Sequence, residues 1–198
     1  MLRLECEMWT FTLDSNCMIS IDDGGPNAPF VRRLVDAHAA GKAHAAVVAI
    51  SAAEKKRAGF YLDNFDAFRD RLAALGLARL EILKPMACFD ISFAGWCVEA
   101  DDAMAALEKQ IHDILFPRSQ FTWQDYADAN GLDPDSLSPQ GDWRSRKCAV
   151  QEMWTHIQNK KDVFVTANDE FHKPAKKAAL VALGAAQIER PPQAASLL

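Results

Sequence analysis

The chain reads as an α/β protein of three layers around a mostly parallel central sheet of about four to five strands. Two observations predict this. Short runs of apolar, β-branched or aromatic residues, at 8–14, 44–50, 79–83, 163–166 and 185–188, alternate with segments of helical length and spacing. Strands joined through helices predict a parallel sheet with right-handed crossovers. In addition, polar and acidic residues follow two of the strands directly: Asp14 after the first, and Asn168, Asp169 and Glu170 after 163–166. Open α/β sheets carry their chemistry at the carboxyl ends of strands. If the two strands are adjacent, their acids converge, and carboxylates gathered at short range repel unless they hold a hard divalent cation.

The elements follow in order. Met8-Trp-Thr-Phe-Thr-Leu-Asp14 is the first strand. Asp22-Asp-Gly-Gly-Pro-Asn27 is a turn. It leads to a helix at about 28–40, where Phe30, Leu34, Val35 and His38 fall near helical spacing and Gly41 is the stop. His44-Ala-Ala-Val-Val-Ala-Ile50 is the second buried strand. Ser51 is an N-cap for the next helix, with Glu54 at capping-box spacing. A helix at about 63–75 ends at Gly76, and a third strand at 79–83 stops at Lys84-Pro85. The segment 89–98 suits either a strand or a buried helix. Met104, Leu107, Ile111, Ile114 and Leu115 make one stripe of a helix over 100–115. Residues 117–141 are irregular, with Pro117, Pro134, Pro139 and Asn130-Gly131. There Phe121, Trp123 and Tyr126 predict a short helix packed on the body. Asp142 opens a helix to about 159, with Val150, Met153, Trp154 and Ile157 on its apolar face. After the 163–166 strand comes a helix near 174–183, Pro174 standing early in it as Pro tolerates. Gly184 ends it, 185–188 is the last strand, and Pro191-Pro192 leads to a tail. The expected organisation is one domain over 1–198, with 100–142 as a helical insertion.

Five cysteines, an odd number without a CxxC pair, read as reduced thiols and exclude the usual zinc spacings. No apolar run reaches the roughly 18 residues of a membrane span. The first residues, with Arg3, Glu5 and Glu7, lack the apolar core of a signal peptide. The expectation is a cytoplasmic protein with no membrane partner. A net charge of -5 argues against nucleic-acid binding through the bulk field while leaving room for a local basic patch.

Taken together, the motifs resemble the PIN-domain family of metal-dependent nucleases. Leu13-Asp14-Ser15-Asn16 is similar to that family's opening motif, a strand ending in Asp, a small residue and Asn. Ile50-Ser51-Ala-Ala-Glu54 resembles its second motif, and Val165-Thr166-Ala-Asn168-Asp169-Glu-Phe171 its last. Residues 185–192 resemble its closing strand. The pattern departs from the family in one place. The third acid, expected in the helix before the last strand, is replaced in the frame Lys147-Cys148-Ala149-Val150 by Cys148. Asp142 is the nearest replacement, and Glu152 is another, one turn beyond Cys148 on the same face. The frame of Thr166 and Phe171 puts Asn168 in the last acid slot, with Asp169 beside it.

The resemblance implies a PIN-like endoribonuclease hydrolysing phosphodiester bonds of single-stranded RNA with Mg2+ or Mn2+. Asp14, Glu54 and Asp169 would bind the metal, Asp142 would complete the catalytic acids, and Asn16, Thr166 and Asn168 would orient them. Arg144, Arg146 and Lys173 would receive substrate phosphates. Trp123, Tyr126 and Trp143 are candidates for stacking on unpaired bases. Each residue also has a plainer reading. Asp14 suits an N-cap, Glu54 the partner of Ser51, Asp169 a helix start, Cys148 a small buried hydrophobe, and the basic residues solvated helix ends. The alternative function is a catalytically degenerate module that binds RNA or a protein partner. An inhibitor protein or a homo-oligomer are the other expected partners.

Overall fold

Strands buried on both faces read as continuous apolar runs rather than as alternating patterns, and that is how the three central strands were visible. In the computed structural model, which describes residues 8–50, 64–136 and 141–198, the strands are β1 (Thr10–Leu13), β2 (His44–Val48), β3 (Glu81–Leu83), β4 (Val163–Val165) and β5 (Gln187–Glu189). All pair in parallel, in the order β3-β2-β1-β4-β5. The chain starts in the middle of the sheet, builds one side through β2 and β3, and returns to build the other through β4 and β5. The strand order therefore reverses between β1 and β4. Leu13 lies level with Val47 on one side and Val165 on the other. The residues that follow β1 and β4 thus emerge side by side at the carboxyl edge.

Successive side chains of a strand point to opposite faces, and both faces are covered. Phe11, Leu13, Val47, Val163 and Val165 pack with α1 (Ser15–Asp23), α2 (Ala28–Ala39), α3 (Phe65–Ala74) and α9 (Pro191–Ala195). On the other face, Phe164 and Ile188 meet α4 (Asp102–Leu115), α6 (Gly141–Gln158), α7 (Asp169–His172) and α8 (Pro174–Leu180). Ala46 and Val48 meet α6 and α5 (Trp123–Asn130). This is the layering that an α/β/α fold requires. Among the described residues, no helix is long and apolar enough to cross a membrane.

Four local expectations change. Residues 15–23, unassigned from the sequence, form α1: the Asp14 side chain caps it and Gly24, at φ 62°, closes it. Residues 191–195 form α9 rather than a tail, because two prolines at the first helical positions give up only amides that a helix start leaves unpaired anyway. The ambiguous segment 89–98 is neither strand nor helix. It is a run of turns with one parallel bridge, Met86 to Val98, and a left-handed Asp90 at φ 55°. Asp142 lies inside the first turn of α6, which begins at Gly141. The capping pair Ser51 and Glu54 falls outside the described residues.

The face holding α6 contains one buried polar tie. His156 is fully buried. Its Nε2–H donates to the Ala185 carbonyl at 2.9 Å, so its Nδ1 accepts from Thr12 Oγ1 at 2.9 Å. Burial pushes its pKa down to about 4 from the ordinary 6.5. The folded chain therefore holds the neutral ring, and the unfolded chain binds more protons below pH 6.5. The His156 contribution is whole above pH 6.5 and disappears as the pH falls toward 4, a loss approaching about 3 kcal/mol. Urea unfolding at pH 7 and pH 4.5 should show a steeper acid loss of stability in wild type than in His156→Gln. Equal losses would contradict this role.

Candidate active site

Open parallel sheets bind their ligands at the carboxyl edge where the strand order reverses, which here is the end of β1 and β4, and two buried carboxylates bond the same helix start there. Asp14 follows β1 and is 1% exposed; Glu152 comes from α6 and is 2% exposed. Both act on the first turn of α1. Asp14 Oδ1 accepts from the Cys17 amide at 3.1 Å, and Glu152 Oε1 accepts from the Ser15 amide at 2.9 Å. The second Asp14 oxygen accepts from Asn16 Nδ2 at 3.0 Å and from the Thr166 hydroxyl. Thr166 is itself fully buried at the end of β4, and its Oγ1 accepts from the Asn168 amide at 3.0 Å. Asp14, Asn16, Thr166 and Asn168 thus form one bonded group. Glu152 joins it at the same helix start.

The electrostatics of the group are unusual for a helix cap. Burial raises the Asp14 pKa even though Thr166, Asn16 and Cys17 all favour the ionised form. The neighbouring Cys17 thiol is pushed well above its ordinary value by burial, then by Asp14, with Glu152 adding to it. A cap needs one acceptor, and Asn or Ser supplies it without charge. A second buried carboxylate, Glu152, bonds the same turn, which capping alone does not call for. The α1 dipole and the amides favour negative charge at this end of the helix.

The remaining expected residues are placed elsewhere. Asp142 is 77% exposed at the start of α6, pairs with Arg146 at 3.3 Å, and lies about 15 Å of helix rise from Glu152. Asp169, 84% exposed in the first turn of α7, pairs with Arg190 at 2.5 Å, which lowers its pKa. Asn168 caps α7 through the Glu170 amide. Arg144 is buried, bonding Asp90 Oδ2 at 3.0 Å and the Asp90 carbonyl at 2.6 Å. It pins the turns of 89–98 in place, a structural task that its position among surface-like basic residues concealed. Arg146 donates to Ser119 Oγ at 2.8 Å, and Lys173 pairs with Glu170 at 2.5 Å. Cys148 is fully buried among Ala46, Val48 and Ile50, a small hydrophobe in the core. His172 Nε2–H donates to the Thr166 carbonyl at 2.9 Å, tying α7 to the end of β4.

What aims Glu152 is a polar chain that sequence reasoning missed. Gln151 is fully buried. Its Oε1 accepts from the Met86 amide at 3.1 Å and its Nε2 donates to Glu108 Oε1 at 2.5 Å. Glu108 also pairs with Lys147 one turn earlier on α6. These bonds lock the rotation of α6 against α4 and the segment after β3, and so the direction in which Glu152 points. Only the run of polar residues in an otherwise buried helix signals it.

Among the described residues, no group of three or more His, Cys, Asp or Glu stands in position to hold a metal ion. Asp14 and Glu152 supply two carboxylates, which is the number Mg2+ commonly takes from a protein while keeping waters and substrate oxygens. Two carboxylates do not make a closed protein cage, so any hard cation here would take its remaining ligands from water and substrate. No family model matches the chain, and comparison with curated proteins and with solved structures finds no match.

The raised Asp14 pKa carries a stability consequence. The folded state holds this proton more tightly than the unfolded state, so the associated stability is present below pH 3.8 and is lost as the pH rises through the folded pKa. At pH 7 the burial of this carboxyl costs stability. Asp14→Asn, which keeps a capping oxygen, should raise the melting temperature at pH 7. Asp14→Ala, which removes the cap, should lower it by about 2–4 °C, about 1 kcal/mol. A lower melting temperature for both variants would contradict this balance.

Proposed function

We propose that this chain is a PIN-like, metal-dependent endoribonuclease acting on single-stranded RNA. The observation that carries the reading is the convergence of buried Asp14 and Glu152 at the crevice where the strand order reverses. It is supported by the order of the motifs around Asp14, Glu54 and Thr166 to Phe171. Asp14 and Glu152 would hold a magnesium or manganese ion, with Glu54 and Asp169 the further acids of the family pattern. Such an ion, when bound, supplies positive charge to the scissile phosphate and to an attacking water. Thr166 and Asn16 hold the Asp14 carboxylate in one orientation, and Ser15 and Cys17 amides hold both carboxylates at the α1 start.

Glu152 takes the place of the helix acid that Cys148 vacates, and Asp142 is left as a surface partner of Arg146. Around the crevice, Lys173 and Arg190 are paired with exposed acids. Exposed pairs of this kind are worth little, so an RNA phosphate can replace the carboxylate partner. Arg144, held by Asp90, is reserved for structure. The second reading, a module that binds without cutting, is favoured by the tie between Asp169 and Arg190, which turns one family acid to a protein partner.

The test is cleavage of an end-labelled single-stranded RNA in Mn2+ or Mg2+. Wild type should cut. Asp14→Asn and Glu152→Gln should each lose at least about 100-fold, equal to ~2.7 kcal/mol of transition-state stabilisation. Asp142→Ala should stay within about twofold, as expected of a surface residue. Cutting retained in both carboxylate variants would contradict the assignment of the site. Binding without cutting in wild type would favour the second reading.

A further inference from the structure

A cleft of about 480 Å³ lies between α5, the turn after Met86 and the start of α6. Phe89, Phe121, Trp123 and Trp143 line it, with Gln124 and Lys147. We infer that it binds an unpaired nucleobase of the RNA, a proposal that rests on the nuclease reading above and names how its substrate is gripped.

The walls decide the chemistry. Four aromatic rings line the cleft, and among the described residues that line it there is no Leu, Ile, Val or Met. A lipid tail or an apolar helix is matched by branched aliphatic walls, whereas a base presents flat π faces that stack on rings. Phe89 is 71% exposed, unusual for a residue of its size, and stands ready to cover such a face. Trp123 and Trp143 meet edge to face, 5.7 Å apart, and are nearly buried, so their side of the cleft is preformed. The indole N–H of Trp123 is buried and has no hydrogen-bond partner among the described residues. The amide of Gln124 offers both a donor and an acceptor to a base edge. Lys147, paired with Glu108, holds its ammonium 4.6 Å from the centre of the Phe121 ring and places positive charge at the cleft.

Position ties the cleft to the crevice. Trp123, Trp143 and Cys88 pack against Val48, Ile50 and Leu83, at the carboxyl ends of β2 and β3. The cleft is therefore built on the same edge of the sheet as Asp14 and Thr166.

The experiment is fluorescence anisotropy with a labelled single-stranded RNA of about twelve nucleotides, within the usual span of such sites, in EDTA so that cleavage plays no part. Phe89→Ala, an exposed change that leaves the fold intact, should raise Kd about tenfold. The slope of log Kd against log salt should not change, because no phosphate contact is removed. An abasic strand of equal length should bind wild type more weakly than the RNA does, and wild type and variant alike. An unchanged Kd in Phe89→Ala, equal binding of RNA and abasic strand, or no RNA binding by wild type would overturn the cleft assignment. Cleavage by wild type with an unchanged Phe89→Ala Kd would leave the nuclease reading standing. No cleavage with the tenfold effect present would leave the cleft standing and the nuclease reading refuted.

Discussion

The pairing of β1 with β4 determines where every group of the candidate site falls. Because the chain enters the sheet at its centre, β4 returns next to β1 after more than a hundred residues, and the two strands end level. Asp162 clasps the start of this pairing: its carboxylate accepts from the Thr10 amide at 2.9 Å and the Thr10 hydroxyl at 2.6 Å. At the other end the Asp14 amide donates to the Val165 carbonyl at 3.1 Å. A register shifted by one residue would turn Thr166 to the opposite face and separate it from Asp14. The clasp and the ladder together keep the hydroxyl on the carboxylate.

A buried pair of carboxylates is a poor choice for stability and a reasonable one for binding a cation. The protein meets the cost locally, with amides of α1, the Asn16 side chain and the Thr166 hydroxyl all directed at the acids. It meets the requirement for direction at longer range, through Gln151, Glu108 and Lys147, which fix α6. Perturbed carboxylates held by a bonded surround occur in binding sites and in structural networks alike.

The middle of the sheet was legible because β1, β2 and β4 are buried and separated by helices, which leaves apolar runs in the sequence. Asp14 was legible as a strand-terminal acid, and its capping role was one of the two meanings its position allows. Other parts depended on tertiary contacts that spacing does not carry. Asp142 and Glu152 both lie on one helix near the expected acid position, and only the packing of α6 separates the exposed one from the buried one. Arg144 looked like its neighbours Arg146 and Lys147, because the left-handed turn at Asp90 that receives it has no local signature. Helix α1 was hidden by its short apolar pattern of Cys17, Met18 and Ile21, and α9 by prolines that read equally as a tail.

The central claim is that Asp14 and Glu152 form a cation site. Isothermal titration of Mn2+ into the wild-type chain and into Glu152→Gln, followed by melting of each with and without the ion, addresses it without any RNA. The account predicts stoichiometric binding and a higher melting temperature with Mn2+ in wild type, and loss of both in the variant, because a ligand stabilises only the state that binds it. Equal binding and equal stabilisation in the two proteins would contradict it.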